Sequence, residues 1–192
     1  MQHKPYGPYE KYFKRPLDLL CGIFVVIIFS WLYLALSILG LIFMRGNPFF
    51  TQARPGKNGQ VFMLIKFRTM DNRKDKDGNL LPDEVRLNRY GRFLRKVSLD
   101  EIPEAFNIIK GDMSLIGPRP LLVQYLPLYS EAQMHRHDVR PGLSGYAQVN
   151  GRNSITWTHR FELDCEYVNK ITFLGDLKII IQTVEKAFIK RE

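Results

Sequence analysis

The most constraining feature of this chain is an apolar run, residues 19–44, that contains no charged side chain. At about 1.5 Å of rise per residue its 26 residues would form a helix roughly 39 Å long, which exceeds the ~30 Å hydrocarbon core of a bilayer. The apolar part of a cleaved signal peptide is only about 7–15 residues long. We therefore predict that this run is embedded in a membrane.

Basic residues on both flanks of the run bear on its orientation. They are Lys11, Lys14 and Arg15 before the run, and Arg45, Arg54 and Lys57 after it. A helix that spans a membrane concentrates such residues on its cytoplasmic side. The symmetry predicts a re-entrant helix with both ends in the cytosol, while a simple tilted span stays the commoner alternative. Asp18 lies at the entrance, where an ion pair with Arg15 would lower the cost of placing a carboxylate near lipid.

The charge balance of the chain indicates an anionic partner. The formal net charge is +9 over 192 residues, and 45% of the residues are hydrophobic, which is typical of a globular protein. Nucleic acid, an anionic membrane and a phosphorylated substrate all fit such a charge. Because the chain carries a membrane segment, we expect membrane lipid and phosphorylated substrates as partners, and no nucleic acid. The two cysteines, Cys21 and Cys165, suggest no disulfide framework.

A β-hairpin is predicted directly after the apolar run. Residues 49–53 and 61–68 have strand character, and Asn58-Gly59 between them is a strong hairpin-turn signal. Lys66 and Arg68 fall on one face of the second strand and would form a clamp for a phosphate. The alternative is a solvated basic edge that discourages strand pairing.

Two adjacent carboxylates, Asp100 and Glu101, are flanked by cations in sequence. A basic run precedes them, formed by Arg86, Arg89, Arg92, Arg95 and Lys96. Such a pair can hold a divalent metal or attack phosphorus, while the cations bind phosphate oxygens. The alternative is structural: Ser98 would cap a helix and Glu101 would complete a capping box, with Asp100 stabilised by the helix dipole.

Two further arginines are held by prolines. Arg119 lies in Gly-Pro-Arg-Pro at residues 117–120 and Arg140 in Arg-Pro-Gly at 140–142. Because proline fixes φ, a guanidinium placed there loses less entropy when it binds an oxyanion. Downstream amides and one more cation are suited to a base or a sugar; they are Gln148, Asn150 and Arg152.

The remainder of the chain predicts helices. Residues 154–167 mix aromatic and charged side chains, and residues 174–190 repeat apolar side chains at helical spacing. Both segments suit the membrane interface, although an ordinary core helix has the same pattern. We expect a mostly α protein with a small β-hairpin (α+β). Residues 1–46 would form the basic segment and re-entrant membrane helix, and residues 47–192 a single catalytic domain.

Seven short motifs occur in order along the chain: TQARPG at 51–56, KFRTM at 66–70, SLDE at 98–101, KGDMS at 110–114, GPRP at 117–120, RPG at 140–142 and QVNGR at 148–152. Together they resemble the bacterial sugar transferase family, the monotopic phosphoglycosyl transferases, and especially its small PglC-like members. The resemblance covers about residues 10–190.

This resemblance implies transfer of a sugar phosphate from a UDP-sugar to undecaprenyl phosphate, with release of UMP, as the first membrane step of glycoconjugate assembly. Asp100 would be the nucleophile that carries the phosphosugar, and Glu101 would act on the required Mg²⁺ or on the acceptor's proton. Both carboxylates are candidate metal ligands. The enzyme would lie in the bacterial inner membrane with its catalytic domain on the cytosolic face, and a homodimer is left open.

The residues expected to bind the substrates and their phosphates are Lys66, Arg68, Arg95, Arg119, Arg140, Gln148, Asn150 and Arg152. Two alternatives remain: direct transfer in one step with Asp100 only a metal ligand, and a membrane-anchored protein that binds anionic lipid without catalysis. One departure concerns the bend of the membrane helix. The family usually has Ser-Pro there, whereas this chain has Ser30-Trp31 and so lacks the main local cause of a bend.

Overall fold

The computed structural model describes residues 3–151 and 154–188 and is mostly helical. After a π-helical turn at Tyr9–Phe13, the helices are α1 (Lys14–Ile28), α2 (Ser30–Met44), α3 (Asp83–Arg86), α4 (Arg89–Lys96), α5 (Glu104–Lys110), α6 (Glu131–Met134), α7 (Tyr146–Val149), α8 (Trp157–Asn169) and α9 (Phe173–Phe188). The strands are β1 (Phe49–Pro55), β2 (Val61–Phe67), β3 (Ser114–Ile116) and β4 (Gly142–Ser144). The predicted class, mostly α with a small hairpin, is confirmed.

The apolar run forms two helical arms with a sharp bend between them. Tyr9–Ile28 and Ser30–Met44 meet at an angle of 63° across Phe29. Within the part of the chain that the structure describes, no single helix has the length and hydropathy to cross a bilayer, whereas the bent pair together does. The bend occurs where the sequence has Ser30-Trp31, so it forms without a proline.

Packing against the rest of the protein holds both arms of the bend in place. On α1, Gly22 lies against α5, where an added Cβ would come within 3.0 Å of the Ile109 side chain. On α2, the Tyr33 hydroxyl donates a hydrogen bond to the carbonyl of Ile102 (2.6 Å). Because the two arms are fixed by separate contacts, tertiary structure supplies the bend that a proline would otherwise impose locally.

The predicted ion pair at the entrance of the run is wrong. Arg15 donates to the carbonyls of Ile108 and Ile109 at the end of α5 (2.6 and 2.8 Å). Asp18 is buried and accepts hydrogen bonds from the Ser114 hydroxyl and the Leu115 amide (2.7 and 3.0 Å). The two side chains find partners far away in sequence, which i, i+3 spacing cannot reveal.

The predicted hairpin is confirmed. β1 and β2 pair antiparallel from Phe49 opposite Phe67 to Pro55 opposite Val61. Asn58 and Gly59 both have positive φ (55° and 72°) in the connecting turn, the conformation that Asn-Gly favours. The hairpin delivers Lys66 to the end of β2.

A second small sheet, which the sequence did not predict, fixes the Gly-Pro-Arg-Pro turn. β3 and β4 pair in parallel, and the amide of Gly117 donates to the carbonyl of Ser144 (2.9 Å). A Cβ added to Gly142 would lie 2.0 Å from the Gly117 nitrogen, so only glycine permits this approach. This contact fixes the turn, so Arg119, two residues after Gly117, is held in one place.

The two C-terminal helices bury one side and expose an apolar side. Val168, Ile171 and Ile179 lie in a core with β3 and α7. The outward side chains include Trp157, Leu174, Leu177, Ile181 and Val184, all exposed. An amphipathic core helix would hide such side chains, so this exposure favours the interfacial interpretation.

Candidate active site

The acidic pair lies on a tight turn that precedes α5. Leu99–Glu101 forms one 3₁₀ turn, and Ser98 before it is left-handed (φ 56°, ψ 24°) with no capping hydrogen bond from its side chain. The predicted capping box is therefore wrong. The Glu101 carboxylate, which would have completed that box, has different partners.

Glu101 is held by two cations. Its Oε1 accepts hydrogen bonds from Lys66 Nζ (2.9 Å) and Arg119 Nη2 (2.7 Å). Burial alone would raise the pKa of Glu101, but the charges of Arg119 and Lys66 outweigh it and hold the pKa well below its usual range. Glu101 is consequently a fixed anion at neutral pH.

A third carboxylate, Glu104, shares this cluster and was missed by the sequence analysis. It is almost fully buried, and its Oε1 lies 3.0 Å from Lys66 Nζ. Burial raises its pKa, Lys66 offsets part of that rise, and the neighbouring charge of Glu101 adds to it. The only sequence signal was its spacing of three residues from Glu101, which also fits an exposed first helical turn.

Asn107 on α5 places Lys66 over these carboxylates. Its Oδ1 accepts from the amide of Ile65 (3.0 Å) and its Nδ2 donates to the carbonyl of Met63 (2.8 Å). These bonds satisfy the free edge of β2 and fix that strand against α5. Lys66 is thus a binding residue for the carboxylates rather than a solvated edge charge.

Asp100 differs from its neighbours because it lacks a directly bonded cation. No ion pair to its carboxylate is formed within residues 3–151 and 154–188. Burial and the charge of Glu101 raise its pKa, an effect that Lys66 and Arg95 partly offset. A partly buried carboxylate with a raised pKa is more basic than an exposed one and better suited to attack an electrophile.

A buried ion pair supports Arg119 from behind. Arg136 donates through Nε and Nη2 to Asp164 Oδ2 (3.0 and 2.7 Å), and its Nη2 also donates to the carbonyl of Arg119 (2.7 Å). Neither side chain is exposed by more than 2%. The sequence analysis missed both residues because a charged pair brought together over 28 positions leaves no local pattern.

The predicted phosphate ligands fall into three groups: residues beside the acidic pair, Arg68 at the end of β2, and residues that lie farther away or outside the described part of the chain. Lys66 and Arg119 contact Glu101, and Arg95 is near enough to influence the pKa of Asp100 while its Nε donates to the Thr69 hydroxyl (3.0 Å). Arg68, at the end of β2, is partly buried, and its guanidinium makes no hydrogen bond or ion pair to any described residue.

The others lie farther away or outside the described residues. Arg140 donates to the carbonyl of Gly111 (2.9 Å), at the end of α5 opposite the acidic pair and roughly 10 Å along the helix. Asn150 bonds back to the Tyr146 carbonyl (2.8 Å). Gln148 donates to the Leu143 carbonyl (3.3 Å), and its buried Oε1 has no partner among the described residues. Arg152 falls on an undescribed position. Roles for these residues stay predictions.

The acidic pair is compatible with Mg²⁺. Among residues 3–151 and 154–188 no cluster of three or more potential ligands could hold a metal alone. Mg²⁺, however, is usually bound by one or two carboxylates together with substrate phosphates and water. The carboxylate of Asp100 and the second oxygen of Glu101 provide such a donor set, which phosphates would complete.

Comparison with known proteins identifies relatives among sugar transferases. The model of a family described as bacterial sugar transferase matches residues 9–190. The chain is 52% identical to an uncharacterized sugar transferase, EpsL, of Bacillus subtilis, over 92% of this chain and 87% of that protein. It is 35% identical to a UDP-glucose:undecaprenyl-phosphate glucose-1-phosphate transferase of Klebsiella pneumoniae, over 93% of this chain and 41% of that protein. It is 34% identical to a UDP-N-acetylgalactosamine-undecaprenyl-phosphate N-acetylgalactosaminephosphotransferase of Aeromonas hydrophila, over 93% and 44% respectively.

Proposed function

The chain belongs to the bacterial sugar transferase family, and we propose that it transfers a sugar 1-phosphate from a UDP-sugar to undecaprenyl phosphate through a covalent phosphosugar on Asp100. The observation that carries this proposal is the contrast within the acidic pair. Glu101 is neutralised by Lys66 and Arg119, whereas Asp100 has no directly bonded cation among the described residues and a raised pKa. One carboxylate is therefore suited to hold position and the other to react.

In the first step, an oxygen of Asp100 forms a bond to the phosphorus that carries the sugar. The bond from that phosphorus to the bridging oxygen of the diphosphate breaks, and the bridging oxygen leaves with UMP. Arg119 contacts Glu101, Arg95 lies near enough to influence the pKa of Asp100, and both would stabilise the charge on the phosphate oxygens.

In the second step, a phosphate oxygen of undecaprenyl phosphate forms a bond to the same phosphorus. The bond to Asp100 breaks, which regenerates the carboxylate and yields undecaprenyl-diphosphate-sugar. Splitting one transfer between two bulky anions into two displacements lets each substrate approach the same phosphorus in turn. Glu101, fixed as an anion, keeps Arg119 and Lys66 in place during both steps.

Mg²⁺, held by Asp100 and Glu101 with substrate phosphates, would offset the negative charge that gathers at phosphorus. Membrane attachment follows from the same proposal because the acceptor is a lipid. The bent pair of helices α1 and α2 would enter the inner membrane from the cytosolic face and return to it, and α8 and α9 would lie at the interface with their apolar sides toward lipid.

The proposal is tested with the full chain in nanodiscs, supplied with Mg²⁺, undecaprenyl phosphate and a panel of UDP-sugars. We expect one or a few of these sugars to appear in the lipid extract as the diphosphate-linked product, with equal amounts of UMP, and chelation by EDTA to stop both. No product with any donor, together with retained binding to anionic vesicles, would instead support the binding protein without catalysis.

A further inference from the structure

A cavity of about 630 Å³ begins at the acidic pair and extends to the first membrane arm. Its wall is formed by residues of α1, α5, α7, α8 and α9, of the strands β3 and β4, and of the turn that carries Arg119. Glu101 and Arg119 lie in the wall while Asp100 does not. The cavity therefore reaches the acidic pair on the side of Glu101 and Arg119.

Apart from its charged side chains the wall is mainly apolar. The charged side chains are Glu101, Arg119, Arg136, Arg160, Asp164 and Lys186. The apolar ones include Val25, Ile108, Leu143, Ile180 and Val184. Of the described residues, no aromatic ring lines the cavity, so it offers no ring to stack on a nucleotide base.

The apolar wall leads to surfaces that suit lipid. Cys21 and Val25 of α1 line the cavity, and Phe24 on the same helix is 63% exposed. Ile180 and Val184 of α9 line the opposite wall, and Ile181 beside them is 50% exposed. An apolar chain could follow the apolar side chains of these two helices from a bilayer into the cavity, although Thr183 and Lys186 lie in the same wall of α9.

We propose that this cavity binds the phosphate-proximal isoprene units of the polyprenyl phosphate acceptor, with the lipid phosphate directed toward Arg119. This inference rests on the proposed function. The volume falls within the roughly 300–1,000 Å³ of pockets that enclose a small ligand. Only the first part of so long a chain would be enclosed, and the remainder would stay in the bilayer between α1 and α9.

Filling the cavity should therefore impair use of the acceptor and spare use of the donor. Val25→Trp on α1 and Val184→Trp on α9 place a large ring in the wall. Their matched controls are Val26→Trp and Ile181→Trp, since these neighbouring residues have similar exposure and do not line the cavity. We expect the KM for undecaprenyl phosphate to rise about 10-fold or more in the first pair and to change little in the controls.

Release of UMP without acceptor separates the two half-reactions. In the cavity variants the amount and rate of acceptor-independent UMP release should equal those of the unmodified protein. A raised KM for the UDP-sugar with an unchanged KM for the lipid would overturn the proposal and assign the cavity to the donor. If the unmodified protein released no UMP with any donor or acceptor, the proposed function itself would fail.

A second measurement does not depend on activity or on cavity variants. In a Cys165→Ser protein, Cys21 in the cavity wall is the remaining thiol. Undecaprenyl phosphate should slow labelling of Cys21 by a maleimide in nanodiscs at mildly alkaline pH, whereas a UDP-sugar should not. Equal labelling with and without the lipid phosphate, or protection by the UDP-sugar alone, would contradict the proposal.

Discussion

Two clusters of charged side chains lie on opposite sides of Arg119 and are built differently. Behind it, Arg136 and Asp164 form a one-to-one pair that is almost completely buried. In front of it, two cations face three carboxylates, and Glu101 takes the direct contacts of Lys66 and Arg119. We call the rear pair closed, because its two charges neutralise each other and Arg136 Nη2 also donates to the carbonyl of Arg119. The front cluster is open, because Asp100 has no directly bonded cation among the described residues.

The difference indicates what each cluster is for. A closed buried pair fixes a backbone, here at Arg119, and its disruption leaves one charge without a partner in the interior. An open cluster keeps a charge available for a ligand. Variants of the closed pair should therefore change stability and activity together, and variants of Asp100 in the open cluster should change activity alone.

The largest effect is expected in the open cluster, at Asp100. Asp100→Asn keeps the shape of the side chain and removes its nucleophilic charge, so transfer should fall at least about 1,000-fold. The midpoint of thermal unfolding should stay within a degree or two. Asp77→Asn, in an exposed loop, is the control and should leave both quantities unchanged. Full activity of Asp100→Asn would show that this carboxylate does not react.

The next effect is expected at the closed pair. Asp164→Asn leaves the Arg136 guanidinium buried without its counter-charge, and such a loss typically costs about 3–5 kcal/mol of stability. Denaturant unfolding in a fixed detergent measures this change, and transfer activity should decline with it. Glu162→Gln on the same helix has an exposed side chain and should change stability by less than about 0.5 kcal/mol. An equally small change in Asp164→Asn would break the distinction between the two clusters.

A smaller effect is expected at Lys66, which serves two carboxylates of the open cluster. Lys66→Met removes a charge that lowers the pKa of Glu101, so that pKa should rise. If the ionised form of Glu101 is required, activity is lost at a higher pH on acidification. We expect a loss of about 10–100-fold near neutral pH and an acid limb of the pH–rate profile displaced upward. Lys57→Met on the hairpin turn should retain the original profile.

The smallest effect concerns His137, beside the closed pair. Burial and the charge of Arg136 lower its pKa from 6.5 to about 4, so the folded protein favours the neutral ring. At a pH between these two pKa values, the unfolded chain binds a proton at His137 more readily than the folded protein does. The resulting stabilisation is present above pH 6.5 and is lost as the pH falls toward 4, by up to about 2 kcal/mol between pH 7 and 5. A His137→Asn variant should show a flatter dependence of unfolding free energy on pH, and an unchanged slope would exclude His137 as its source.

Local sequence signals predicted local structure well. The Asn58-Gly59 turn forms as expected, with a positive φ at both residues. The bend of the apolar run lies next to Ser30, although the usual proline is missing. The turn is controlled by residues close in sequence, whereas the bend is held by contacts of its two arms with α5 and with the Ile102 carbonyl.

Contacts between distant residues were not predictable in this way. Ser98 and Glu101 have the spacing of a capping box, but Lys66 and Arg119 attract the Glu101 carboxylate more strongly than a backbone amide would. Arg136 and Asp164 appear in the sequence as surface charges and are buried only because each neutralises the other. The sequence identified Lys66, Arg119 and Glu101 individually, and only the fold shows that both cations contact Glu101.

The covalent route is tested most directly by mixing the protein with Mg²⁺ and its UDP-sugar without acceptor, and by measuring UMP and the mass of the protein together. We expect about one UMP per active site and a sugar-phosphate adduct that peptide mapping places on Asp100. Both should be absent from Asp100→Asn. Release of UMP only after undecaprenyl phosphate is added, with no adduct at any time, would contradict the covalent route and leave Asp100 as a metal ligand in a direct transfer.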